Sequence, residues 1–221
     1  MKNLVAMNRI SFPEFSGVIV NMMPFIMGDN NTLPDSIKTY GKIIDSCNLP
    51  DSEIGKVGYL TVTESIVSEN ESQRRGGVHT EGFSGVGWGT GWGTGWGRGK
   101  TKQSFGGSTF GASNGYDLDG GLYMANSIDD TCQAWDMHVK ETGHLGCLAH
   151  LGLKDGHKME KNRLYWMHDR TPHEALPFAG GKRQFFRLVT SDVSVWYDKH
   201  NTPNPLGVKP ACKIISSNKF Q

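Results

Sequence analysis

The chain of 221 residues fits one domain, and a net charge of +1 with its eight histidines neutral gives no global electrostatic pull toward nucleic acid or an anionic membrane. No run approaches the ~18 apolar residues that a membrane-spanning helix needs, and Asn8, Arg9 and Ser11 interrupt the N-terminal apolar segment, which argues against a secretory signal. The expectation is a single cytoplasmic domain over residues 1–221, with neither nucleic acid nor membrane as partner.

Residues 17–27 are apolar enough for a buried strand or a short helix, closed by the turn formers Gly28-Asp29-Asn30-Asn31. After Leu33-Pro34-Asp35-Ser36, the positions Ile37, Tyr40, Ile43 and Ile44 have helical spacing that stops near Asn48-Leu49-Pro50. Val57 to Val67, rich in β-branched residues, predicts a strand. A polar turn at Ser68 to Ser72 then leads into Arg74-Arg75-Gly76-Gly77-Val78-His79-Thr80-Glu81. From Gly82 to Gly99 nine of eighteen residues are Gly, and Trp88, Trp92 and Trp96 recur four apart. A helix there would lose about 1 kcal/mol per Gly relative to Ala, so residues 82–121 are expected to form a flexible loop or insertion, of the length a lid or binding loop has.

Leu122 to Ala125 and Cys132 to Val139 are strand-like, and residues 143–160 read as a loop or a short helix. Arg163 to Met167, Gln184 to Thr190 and Val193 to Tyr197 read as strands, being aromatic, β-branched and bounded by Pro, Gly or Asp. Asn201 to Gly207, with Pro203 and Pro205, cannot be regular structure. Seven or eight short strands and one early helix predict a mostly β fold, a sandwich or jelly roll with minor helical packing.

His79-Thr80-Glu81 stands out chemically. Residues two apart on a strand share a face, so an imidazole and a carboxylate can meet one metal, a pair that suits Fe(II), Mn(II) or Zn(II) better than Mg(II). His173, its backbone fixed by Pro172, is the third candidate ligand, arriving from another strand. Arg183 and Arg187, ten and fourteen residues beyond His173, share a strand face, and either offers the bidentate fork that holds a carboxylate.

Plainer readings compete. His79 beside Glu81 can sit on a sheet edge without a metal, and Asp169 can pair with His173. Arg74 and Arg75 read as an exposed basic turn, with a hold on an acidic substrate as the alternative. His144, His150 and His157 have no zinc-site spacing and read as solvated. Cys47, Cys132, Cys147 and Cys212 read as free, mostly buried thiols without a catalytic partner. Neither a G-x-S-x-G elbow nor a Walker loop is present. The three loop indoles can stack on sugars or bases, although indoles folded back onto the barrel are the simpler expectation; Trp135, Trp166 and Trp196 read as core.

The H-x-E pair, the distal His and the Arg beyond it resemble the double-stranded β-helix dioxygenases that use Fe(II) and 2-oxoglutarate. The resemblance implies a cupin-like jelly roll, with His79, Glu81 and His173 as iron ligands and Arg183 or Arg187 as the anchor for the far carboxylate of 2-oxoglutarate. It implies an oxidoreductase that hydroxylates a small molecule or a side chain. It rests on a few residues spread over about 110 positions; Glu is the less usual carboxylate, and the Gly/Trp insertion is not part of the family pattern. The C-terminal block, through Trp196-Tyr197 and Asn204-Pro205-Leu206-Gly207, also resembles an uncharacterised protein group with no activity to transfer. Two other functions fit the same residues: a non-catalytic β-sandwich binding module that uses the Trp loop, and a cupin-like metalloenzyme that does not use 2-oxoglutarate.

Overall fold

The computed structural model describes residues 2–81, 120–140, 147–193 and 195–216. The Gly-Trp repeat and the expected loop over 82–121 lie outside them save for Gly120 and Gly121, as does His144. The described residues are mostly β. A large antiparallel sheet contains β1 (Leu4–Arg9), β2 (Ile19–Ile26), β3 (Val57–Val67), β4 (Leu122–Asn126), β7 (Arg163–Met167) and β9 (Gly181–Val189), in the order β1-β7-β4-β9-β3-β2. A small antiparallel sheet has the order β6-β5-β8, from β5 (Cys132–Ala134), β6 (His157–Lys158) and β8 (His173–Ala175). His79 extends it by bridging to His173 on one side and to Cys147 on the other. A parallel pair, β10 (Val195–Tyr197) and β11 (Lys213–Ile215), completes the set.

From β3 onward the chain alternates between sheets: β3 in the large one, the His79 bridge in the small one, β4 in the large, β5 and β6 in the small, then β7, β8 and β9 in turn. The large sheet is buried on both faces, as its near-continuous apolar strands require. One face carries Leu60, Val62, Tyr123, Phe186 and Leu188, and packs under Ile37, Tyr40, Ile43 and Ile44. The other carries Tyr59, Leu122, Met124, Tyr165 and Phe185, and packs against Cys132, Ala134, Met159 and Ala175 of the small-sheet layer. The candidate site lies on this second face, between the sheets.

The segment with helical spacing buries the predicted residues but is shorter than expected: a 3-10 turn at Lys38–Tyr40 runs into α1 (Gly41–Asp45). Pro34 before it and the left-handed Asn48 after it (φ 49°) confine the regular part. The strand expected over Cys132 to Val139 ends at Ala134, where Trp135 N donates to Pro172 O and Met137 N turns back to Trp135 O. Trp135 is therefore half-buried rather than core, its indole donating to Lys154 O, whereas Trp166 and Trp196 are buried as expected. Strands β1, β6 and β11 fall where no strand was expected. All four thiols are free, Cys47 and Cys132 buried, Cys147 and Cys212 half-buried. No helix among the described residues is long and apolar enough to cross a membrane.

A buried carboxylate ties the N-terminal connection to the sheet. Glu64 Oε2 accepts from Ser16 N (2.6 Å), Gly17 N (2.6 Å) and Val18 N (3.2 Å), and Oε1 accepts from Tyr40 Oη (2.6 Å) and Gln184 Nε2 (2.9 Å). Burial pushes its pKa up, but the donors from Tyr40, Gln184 and Ser16 together outweigh burial and hold it below the ordinary 4.5. A depressed carboxyl contributes stability above its unfolded pKa and loses it as pH falls through the folded value. Melting temperature should therefore drop as the pH is lowered below 4.5. Glu64→Gln should cost about 1–3 kcal/mol at neutral pH and flatten that part of the curve. Identical acid profiles for the two proteins would refute the assignment.

Candidate metal centre

One nine-residue stretch, Gln73 to Glu81, supplies most of the site. Gly77 adopts φ +80°, a conformation that glycine tolerates and other residues rarely adopt. This turn aims the Gly77 carbonyl at His79 Nδ1, 2.7 Å away. His79 then forms a main-chain pair with β8, His79 N donating to His173 O (3.0 Å) and His173 N to His79 O (2.9 Å). His173 repeats the device of its partner: its Nδ1 lies 3.0 Å from Thr171 O, again the carbonyl two residues earlier.

A ring nitrogen facing a carbonyl carries the proton, so both imidazoles donate through Nδ1 and leave the Nε2 lone pair for another partner. That is the arrangement that orients metal-binding histidines. The rings stand 4.7 Å apart between centroids. His173 Nε2 is 3.6 Å from Glu81 Oε1, and the donor atoms of His79, Glu81 and His173 all lie within 4.8 Å of one another. Among the described residues no other cluster of His, Cys, Asp and Glu does this. The three are 7%, 3% and 5% exposed, too dry for an accidental surface grouping. Asp169, the rival partner for His173, lies beside His168 instead (2.7 Å), and His150 and His157 are exposed.

The electrostatics match a cation site. Burial, and then the neighbouring His173, lowers the His79 pKa to about 3, so it is a neutral imidazole across the physiological range. Burial alone would raise Glu81, but the Arg187 guanidinium, followed by His173 and His79, holds it well below the ordinary carboxyl value. Arg187 Nη1 donates to Glu81 Oε1, and Nη2 reaches Thr61 Oγ1 at 3.3 Å. The Arg187 Nε–H is buried and has no hydrogen-bond partner among the described residues.

Arg183, two pleats away on the same face of β9, is 1% exposed. Its donors go to Thr131 Oγ1 (2.9 Å), Gln73 Oε1 (2.5 Å), Asn126 Oδ1 and Cys132 Sγ (3.4 Å), all uncharged acceptors. Among the described residues no carboxylate pairs with it. Between the two arginines, Phe185 faces the same side. A cavity of about 40 Å³ opens beside these groups, lined by Arg74, His79, Glu81, His173, Phe185 and Arg187 among others. It has room for a few waters.

The structure thus brings His79, Glu81 and His173 together and puts Arg187 against them, with Arg183 behind. Arg74 and Arg75 depart from the exposed turn that the sequence predicts: both line the cavity, and Arg74 Cζ sits 5.1 Å from the Phe185 ring centre. The Gly76-Gly77 pair before the H-x-E was the signal that the chain turns there. Nothing local marks Gln73, Asn126 or Thr131 as partners of Arg183. No family model, no curated protein and no solved structure matches this chain.

Proposed function

We propose that the protein is a non-haem Fe(II)- and 2-oxoglutarate-dependent oxygenase built on a double-stranded β-helix. The observation that carries the reading is the pair of imidazoles, each with Nδ1 at a backbone carbonyl, gathered with a buried carboxylate so that the donor atoms of all three lie within 4.8 Å of one another, His173 Nε2 facing Glu81. Two His and one carboxylate suit Fe(II), Mn(II) or Zn(II), and leave coordination positions for a cosubstrate. The strand order supports the fold. Counted from β3, with the His79 bridge as second, the large sheet reads sixth–third–eighth–first in its centre and the small one fifth–fourth–seventh–second. That is how an antiparallel ribbon winds between two layers.

The preference for 2-oxoglutarate rests on β9. Arg183, Phe185 and Arg187 set a cation, an apolar ring and a second cation along one strand face. A short linear diacid has the complementary pattern, with a carboxylate at each end and methylenes between. Arg187, beside Glu81 and with a buried Nε–H to spare, would take the carboxylate nearer the metal; Arg183, whose guanidinium faces only neutral acceptors, would take the distal one. The bound metal with 2-oxoglutarate would activate oxygen, yielding succinate, carbon dioxide and a hydroxylated product. The chain's own part is to keep both imidazoles in one tautomer, to hold the acid by its two ends, and to keep the reacting volume dry.

Anaerobic titration with Fe(II) and 2-oxoglutarate tests this through the weak visible metal-to-ligand charge-transfer band. A band that needs both additions is the expected result. Metal binding without a band would favour a cupin-like metalloenzyme that does not use 2-oxoglutarate. Folded protein that binds no metal would sink the reading.

A further inference from the structure

Arg74 is a cation at the site that forms no ion pair with an anion among the described residues. Its side chain has two partners among the described residues, the Phe185 ring at 5.1 Å and Thr63 Oγ1 at a long 3.4 Å. A guanidinium carries five N–H donors in a plane, so most of that fork remains directed elsewhere, and Arg74 lines the cavity. The nearby charges make its position costly. Burial and the proximity of Arg187 and Arg183 bring its pKa down to about 10, against which Glu81 acts only partly, and Glu81 is itself held by Arg187. Glu174, also on the cavity lining, accepts from Gln133 Nε2 at 2.6 Å and forms no ion pair with Arg74.

Resting on the reading above, the two carboxylates of 2-oxoglutarate are allotted to Arg183 and Arg187; of the two other arginines that line the cavity, Arg74 and Arg75, Arg74 is the one whose guanidinium lies over Phe185 with part of its fork open. We infer that Arg74 is a separate oxyanion-binding position, and that the compound acted on at this centre carries a carboxylate or phosphate group received there. The aromatic ring under the guanidinium keeps its plane fixed, and Thr63 Oγ1 orients one edge, so the opposite edge is set for bidentate contact. The substrate class is then a small organic acid or phosphoester, rather than a neutral sugar or an apolar compound. Gln73 explains why the two positions are distinct. It accepts from Arg183 Nη1 and donates to Thr63 O and Arg183 O, which ties it between the Arg183 guanidinium and the strand carrying Thr63.

Calorimetric titration with inorganic sulfate and with acetate tests the inference on the whole chain, first metal-free and then saturated with Mn(II) and 2-oxoglutarate. One of the two anions should bind in both states, sulfate pointing to a phosphoester and acetate to a carboxylate. Arg74→Gln should weaken that binding by about tenfold or more, while 2-oxoglutarate affinity changes by less than about twofold. Arg74→Lys, which keeps the charge but lacks the fork, should fall between, and thermal melts of both variants exclude unfolding as the cause. Competition between the anion and 2-oxoglutarate, or equal anion binding by Arg74→Gln and the parent, would overturn the inference. If the parent fails to bind 2-oxoglutarate, the cosubstrate assignment falls. The metal-free arm still decides whether Arg74 binds an oxyanion.

Discussion

His173→Ala is expected to abolish divalent-metal binding while the chain stays folded. The strand pairing uses His173 through its main chain: the paired N–H···O bonds with His79 and the register of β8 with β5 involve no imidazole, and the ring's bond to a carbonyl reaches only Thr171, two residues earlier. Alanine keeps these and removes one lone pair from a three-donor cluster. Loss of a group that merely supports a ligand costs roughly 10–100-fold in affinity, so loss of the ligand itself should exceed that. The parent should gain about 2.7 kcal/mol of stability at a metal concentration a hundred times Kd, visible as a rise in melting temperature with Mn(II) or Zn(II). The variant should show no rise, with an unchanged far-ultraviolet dichroism spectrum. A variant that gains as much as the parent from metal would remove His173 from the site and end the three-ligand assignment.

How far the sequence reveals this arrangement depends on the range of the interaction. Val57–Val67 is legible residue for residue because it is long, β-branched and buried on both faces. Strands of two or three residues, such as β6 and β11, carry no periodicity to read; they exist because a segment distant in sequence offers a pairing edge. The H-x-E pair is visible because a period of two is local. The environment of Arg183 is not, since Thr131, Asn126 and Gln73 lie 52, 57 and 110 residues away. Arg74 misleads for the same reason. Two arginines before two glycines look like a solvated turn until the sheet opposite supplies Phe185 and Thr63. The Glu81–Arg187 contact also joins residues 106 apart, and it decides what metal removal does to the protein.

That pair makes an asymmetric prediction. Glu81 and Arg187 side chains are each 3% exposed and bonded to each other, so deleting either leaves a buried charge without its partner, at a cost of about 3–5 kcal/mol. In the metal-free state Arg187→Met and Glu81→Gln should therefore lose comparable stability. Their response to metal should differ. In Arg187→Met the stranded group is a carboxylate flanked by two imidazoles, and a divalent cation supplies the missing positive charge. Mn(II) should restore most of the loss. In Glu81→Gln the stranded group is a guanidinium with the Arg74 cation close by, the anionic ligand is gone, and metal should restore nothing. The double variant should cost less than the sum of the singles, as residues in direct contact do. Urea melts with and without Mn(II) measure all four proteins. If metal leaves Arg187→Met as unstable as it found it, Glu81 is only half of a structural ion pair, and the oxygenase reading loses its carboxylate ligand.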